Sequence, residues 1–168
     1  MNSKKLYFYN LLLIFLPATS FFKLKVYLLK WCGAKIGKNV RIVSTVKILT
    51  TGTLEIGDNV WIGHDVQIIG GDAKIYIGND CDIAPRVSFI TGTHKINSLE
   101  ELKVAGPGYS KDIIIGDGSW ICSGAIILGG TNVKRKTVIA AGSVCHSELE
   151  LENAIYGGVP CKLLRVLN

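Results

Sequence analysis

Three histidines, His64, His94 and His146, are the side chains of this 168-residue chain best suited to moving a proton near neutral pH. No two of them are close in sequence, which argues against a zinc site built from converging imidazoles. The five cysteines (Cys32, Cys81, Cys122, Cys145, Cys161) are odd in number, widely spaced and without a C-x-x-C pair. They read as reduced core residues of a cytosolic protein, not as metal ligands or a disulfide framework. His94 stands in "FITGTHKIN" (89–97), between small hydroxyl residues and a stretch that interrupts an otherwise regular pattern. A lone histidine is ordinarily a hydrogen-bonded structural residue. Its place at the root of a loop held on a rigid scaffold makes it a candidate general base.

That scaffold is written as a six-residue repeat. From Ile36 the hexads run IGKNVR, IVSTVK, ILTTGT; from Ile56, IGDNVW, IGHDVQ, IIGGDA; from Ile77, IGNDCD, IAPRVS, FITGTH. After an interruption over 95–112, six more follow from Ile115, beginning IGDGSW and ending CHSELE. Thirteen of the fifteen open with Ile or Val, the exceptions being Phe89 and Cys145. The fifth residue of one hexad and the first of the next are two apart, so both point to one side of an extended segment. Between them lie "GDN", "GND" and "GDG", suited to bends with positive φ. Each hexad is therefore a short strand and a corner, three close a coil, and the fixed period predicts a solenoid of about five coils. Its open ends need covers, for which 1–35 and 151–168 are available.

Residues 1–54 carry nine Lys or Arg and no acid, so the net charge of +6 conceals a +9 amino-terminal end and a −3 remainder. Within that end, Leu6 to Phe22 is a 17-residue stretch free of charge and flanked by lysines. It sits at the lower limit for crossing a bilayer, and Pro17 tends to break a helix there. The expected arrangement is two short helices meeting near Pro17, packed on the domain or lying in a membrane interface with their lysines toward lipid phosphates. A single span and a cleaved signal are the alternatives. With 48% hydrophobic and 19% charged residues, 19 glycines and four prolines, the composition is that of a packed, turn-rich domain, and the basic residues form no nucleic-acid motif.

The I-G-x-x-V hexads resemble those of the hexapeptide-repeat family, which implies a left-handed parallel β-helix over 36–168. "IAPRVSFITGTH" (83–94), "IGDGSWICSGAIIL" (115–128), "VIAAGSV" (138–144) and "GGVPCKLLR" (157–165) look most like the galactoside and maltose O-acetyltransferases. "LLKWCGAKIGKNVRI" (28–42), after basic and aromatic helices, is similar to the branch that modifies bacterial polysaccharides. The resemblance implies acetyl transfer from acetyl-CoA to a hydroxyl of a sugar or polysaccharide precursor, with His94 as base and no covalent acetyl-enzyme. It implies a site role for Trp120, while Trp61, in the same hexad place, is structural. Asp72 and His64 match acceptor-contacting positions, although the family usually has asparagine where His64 stands. Ser123, Gly124, Ala141 and Gly142 would line the pantetheine arm, and Lys162 and Arg165 would meet the CoA phosphates. Cys145, His146 and Ser147 replace an expected lysine, for which Lys134, Arg135 and Lys136 are the substitutes at hand. The family further implies a homotrimer with clefts between subunits and no metal, and the branch implies a cytoplasmic protein, peripheral on the inner membrane face. Serine, antibiotic or amino-sugar acceptors, and a non-catalytic docking solenoid, are the competing readings.

Overall fold

A computed structural model describes residues 1–100 and 102–167. Two helices, α1 (Ser3–Leu13) and α2 (Phe22–Trp31), lead into short strands that stack on three parallel faces. The first face holds Lys35–Ile36, Leu54–Ile56, Ile75–Ile77, Ile113–Ile115 and Asn132–Val133. The second holds Arg41–Ile42, Trp61–Ile62, Asp82–Ile83, Trp120–Ile121, Val138–Ile139 and Ala154–Gly157. The third holds Lys47–Thr50, Gln67–Gly70, Ser88–Ile90, Ile126–Leu128 and Val144–Cys145. Five coils are complete, as the hexad count predicts, and Ala154–Gly157 begins a sixth.

The hexad leaders build the core. Ile36, Ile56, Ile77, Ile115 and Val133 are in direct register on the first face. Ile42, Ile62, Ile83, Ile121 and Ile139 do the same on the second, and Ile48, Ile68, Phe89, Ile127 and Cys145 on the third. All fifteen are buried. Both exceptions to the Ile/Val rule, Phe89 and Cys145, thus occupy ordinary leader positions, fully buried on the third face.

Polar side chains set the corners. Asn39 donates from Nδ2 to Asn59 Oδ1 at 3.0 Å, and Asn59 to Asp80 Oδ1 at 2.9 Å, each from a residue with positive φ. One position earlier, Asn79 Oδ1 accepts from the Asp58 backbone N–H and Asp117 Oδ1 from that of Asn79. The "GDN" and "GND" strings therefore supply both the bend and a ladder that pairs each coil with the next.

The amino-terminal helices cover the first coil. Pro17 lies between them, and among the described residues no helix is long and apolar enough to cross a membrane. α1 buries Leu6, Tyr9 and Leu13, and its Asn10 both donates to the Ile48 carbonyl (2.8 Å) and accepts from the Ile48 N–H (3.1 Å). α2 turns Lys25 inward, fully buried, where its ammonium donates to the carbonyls of Ala18 (2.8 Å) and Pro17 (3.2 Å). Desolvation lowers the Lys25 pKa from its ordinary value. Trp61 packs edge-on against Phe22 of α2 and carries the Arg41 guanidinium over its ring, which fits its structural assignment. At the other end Lys162–Val166 turns back antiparallel along Ala154–Gly157.

The interruption starts earlier than the spacing predicts. Thr91 is the last buried residue of its coil, and the chain rejoins the stack where the Lys111 N–H donates to the Thr91 carbonyl at 3.0 Å. Between them Gly92–Ile96 and Ala105–Ser110 form a two-stranded antiparallel ribbon. His94 therefore lies on the ribbon, not in the last place of a coil. The solenoid ladder closes at Thr91 and Lys111, so the chain between them is free to pair with itself.

Candidate active site

The ribbon holds His94 by its main chain. His94 pairs across the ribbon with Gly108, and a Cβ on Gly108 would lie 3.6 Å from the His94 Cε1 atom, so the ring rests beside a residue with no side chain. Its Nδ1 is 2.8 Å from the Gly106 carbonyl oxygen. A carbonyl only accepts, so Nδ1 carries the proton of the neutral ring and Nε2 is left with its lone pair. A Cβ on Gly106 would approach Asn97 Oδ1 to 2.0 Å, so a larger residue there would displace the Asn97 side chain. Asn97 in turn donates to the Lys103 carbonyl at 2.9 Å, bracing the ribbon toward its tip. His94 is exposed, with its basic nitrogen unobstructed by its own ribbon contact. Sequence reasoning missed Gly106, Gly108 and Asn97 as positioning residues. The "GPG" string at 106–108 inside the interruption was the available signal.

Asp72 stands at the corner from which the ribbon departs. Its neighbour Gly71 donates to Thr91 Oγ1 at 3.2 Å and faces Ser110, the last ribbon residue, while Lys74 donates its N–H to Asp112 Oδ1 at 2.8 Å. Asp72 itself is exposed, one coil below the root that carries His94. The two candidates thus share one corner.

His64 stands at a different corner, between the second and third faces. Its carbonyl accepts from Arg86, that of Pro85 from Gly124, and that of Ser123 from Gly142, at 2.8, 3.0 and 3.0 Å. These bonds stack His64, Pro85, Ser123 and Ala141 in one column, with Asp65, Arg86, Gly124 and Gly142 beside it, all four at positive φ. The four residues expected to line the pantetheine arm are therefore contiguous, on the upper two of these coils. A Cβ on Gly124 or Gly142 would meet nothing within 4 Å, so this corner is an open shelf. That clearance fits a chain laid along the backbone.

The basic candidates divide. Gly158 donates no side chain but its carbonyl accepts from Val144, and Cys161 donates to the Val144 carbonyl, so the turn leading to Lys162 caps the third face beside the shelf. Lys162 and Arg165 are both exposed on the returning strand. Lys134 and Arg135 lie at the corner between the first and second faces and are engaged by Glu148 and Glu152. Within one chain this corner is separate from the shelf. Cys145 is a buried leader whose thiol, hydrogen-bonded to Cys161 and desolvated, is pushed up in pKa, while the same bond pulls Cys161 down. Buried in the core, Cys145 does not reach a phosphate in solvent.

Trp120 opens a second-face strand, half exposed and directed away from the core, next to Asp82 below and Val138 above. Within one chain, His94 and Asp72, Trp120, and the shelf occupy three separate corners. A cavity of about 590 Å³ between α1 and the first third-face strand is lined by none of His94, Asp72, Trp120, Ser123, Gly124, Ala141 and Gly142. Among the described residues no group of three or more His, Cys, Asp or Glu side chains is placed to hold a metal ion.

Comparison with known proteins identifies the family. No family model matches the chain. It is 30% identical over 141 residues to the galactoside O-acetyltransferase of Escherichia coli, covering 84% of this chain and 68% of that protein. It is 32% identical over 146 residues to WcaF of the same organism, whose name places it as an acetyltransferase in colanic acid biosynthesis, covering 86% and 75%. YJL218W of Saccharomyces cerevisiae, which carries an acetyltransferase name, is 40% identical over 110 residues, and this chain spans about half its length (54%). Among solved structures, a galactoside acetyltransferase in complex with coenzyme A superposes with a TM-score of 0.64 at 25% identity, over 98% of this chain and 78% of that one. A hexapeptide-repeat acetyltransferase of Vibrio cholerae complexed with acetyl-CoA shares the fold, with a TM-score of 0.65 at 23% identity over 99% and 87%. The solenoid is accordingly the left-handed parallel β-helix that the family resemblance implied, and the chain belongs to the hexapeptide-repeat acetyltransferases.

Proposed function

We propose that the protein transfers an acetyl group from acetyl-CoA to a hydroxyl of a sugar or of a polysaccharide precursor, with His94 as general base. The observation that carries this reading is the 2.8 Å contact between His94 Nδ1 and the Gly106 carbonyl, which fixes the tautomer and leaves Nε2 able to accept a proton. Nε2 takes the proton of the acceptor hydroxyl as that oxygen attacks the thioester carbonyl. The tetrahedral intermediate collapses by breaking the carbon–sulfur bond, and the imidazolium returns its proton to the leaving sulfur, giving ester and free CoA thiol. No acetyl group passes through the enzyme. The relatedness to a galactoside O-acetyltransferase and to WcaF supports a glycan acceptor. Asp72, at the corner of the ribbon, is suited to accept hydrogen bonds from sugar hydroxyls.

The scatter of His94, Trp120 and the shelf over three corners of one chain favours a homotrimer. A threefold axis brings unlike corners of neighbouring subunits together, so each cleft is completed by two chains. The ribbon, with Leu99 and Leu102 fully exposed near its tip, then reaches toward the neighbour. The protein works in the cytoplasm, peripheral on the inner face of the membrane where glycan precursors are assembled.

Following thiol release from acetyl-CoA in the presence of galactosides and bacterial glycan precursors tests the reaction. Turnover that requires both substrates is expected, and hydrolysis indifferent to every hydroxyl acceptor would remove the assignment. The shelf has its own test. Ala141 is exposed beside Gly142, so Ala141→Tyr fills the corner without disturbing the core. Its KM for acetyl-CoA is expected to rise about tenfold or more, since a misfitting group in a shaped pocket costs ~1–3 kcal/mol. An unchanged KM would place the nucleotide elsewhere.

A further inference from the structure

α1 is apolar nearly all round its circumference, a pattern that belongs to a helix covered on both sides. The solenoid covers only one side, through Leu6, Tyr9 and Leu13. At 100° per residue the opposite side presents Lys4, Tyr7, Phe8, Leu11 and Phe15, the last just beyond the helix and 79% exposed. α2 repeats the arrangement with more charge. Its Lys25 and Leu29 face inward, and its outer side carries Lys23, Leu24, Tyr27, Lys30 and Trp31, with Tyr27 68% exposed. Lys5 of α1 lies over the Trp31 ring at 4.5 Å and donates to the Trp31 carbonyl at 3.3 Å, so the two helices form one unit. Fixed to the solenoid through Asn10 and through Ser44, whose N–H and hydroxyl donate to the Ala18 and Pro17 carbonyls, this unit turns outward a patch far richer in aromatic and aliphatic side chains than solvent requires.

We infer that the outer side of α1 and α2 is a docking face for an anionic lipid bilayer, with the aromatic and aliphatic side chains entering the headgroup–acyl boundary and the lysines meeting lipid phosphates. Three observations select a bilayer over a second copy of the chain. Apolar bodies lie beside Lys4, Lys23 and Lys30, the composition of an interfacial helix. The tyrosine and tryptophan on the outer side of α2 are the side chains that settle at the level of lipid headgroups. The first 54 residues contain no acid, so a self-complementary contact through this face would set lysine against lysine. The partner must supply negative charge and hydrocarbon together. Docking through this face lays the first coil against the membrane, with the ribbon and the open shelf on the coils above it. The enzyme would then meet acceptors carried by the lipid surface. This inference goes beyond the proposed reaction, and binding needs no turnover, so the two ideas fail separately.

The test is co-sedimentation of the full chain with vesicles of phosphatidylcholine alone and with one third phosphatidylglycerol, at low and high salt. The wild-type chain is expected to partition at least about tenfold better onto the anionic vesicles, with the difference shrinking as salt rises. Phe8→Ser/Leu11→Ser/Phe15→Ser, which touches no buried residue, and Lys23→Glu/Lys30→Glu are each expected to lower partitioning by about tenfold or more. Both variants should keep the wild-type assembled mass and thiol-release rate with a soluble acceptor. Failure of the wild-type chain to bind either vesicle, binding indifferent to both variants, or a change of assembled mass in the triple variant would overturn the inference. The last outcome would mean that a second copy covers the face.

Discussion

His94→Ala is expected to lower kcat/KM for acetyl transfer by about 10²–10⁴-fold, the usual contribution of a positioned general base. The fold should be indifferent to the change, because His94 is exposed and stands on a ribbon outside the core. His94→Asn sharpens the test. An asparagine amide retains a donor for the Gly106 carbonyl and so can brace the ribbon, yet it has no basic nitrogen. It should be as inactive as the alanine variant, with an unshifted thermal transition and near-normal KM for acetyl-CoA. Activity within a few fold of wild type in His94→Asn would reduce His94 to a ribbon brace and pass the base to another group.

Phe89→Ala is the substitution expected to cost most in stability, about 3–5 kcal/mol by analogy with buried aromatic truncations. Phe89 is fully buried, in register between Ile68 below and Ile127 above. Its removal leaves a void inside a parallel stack whose neighbours are fixed by ladder hydrogen bonds, so little relaxation is available to fill it. Equilibrium denaturation in urea measures the loss. Because Phe89 lies two residues before Thr91, where the ribbon is pinned, activity should fall at temperatures below the global transition. A loss below about 1 kcal/mol would show that the core collapses around the gap.

The solenoid was legible in the sequence because its period is enforced by geometry. A hexad leader that slips by one residue turns from the core to solvent, so Ile or Val recurs wherever the chain passes inside. Phe89 and Cys145 broke the composition without breaking the register. The corners were legible for a related reason: Asn39, Asn59 and Asp80 both adopt the bend and bond to one another. The ribbon was not legible. Its strands pair with each other by main-chain bonds, which leave no periodic mark in nineteen residues free of core constraint, and so its start was placed three residues late. For the same reason the glycines beside His94 were not singled out. A carbonyl acceptor such as that of Gly106 has no residue signature, and the tight fit at Gly106 against Asn97 appears only when the two are brought together across the ribbon. The ion pairs of Lys134 and Arg135 with Glu148 and Glu152 were likewise not legible, because partners on successive coils are brought together only once the coils stack.

A stack of parallel coils is in principle a polymer with no built-in length, since the last strand of each face offers the same unpaired groups as the one before it. On the third face that growth ends at a single side chain. The primary amide of Asn10 has two N–H donors and one carbonyl oxygen: one N–H and the oxygen pair with Ile48 as a peptide unit would, and the other N–H goes to the Leu6 carbonyl of its own helix. It acts as a chain terminator written in one residue, offering the first coil a counterfeit peptide and presenting nothing further for another strand to copy. Termination by a side chain on a helix is independent of how many coils follow. Insertion or loss of whole coils above it leaves the terminus intact, so the length of the solenoid is free to change in evolution without reopening that end to runaway strand addition.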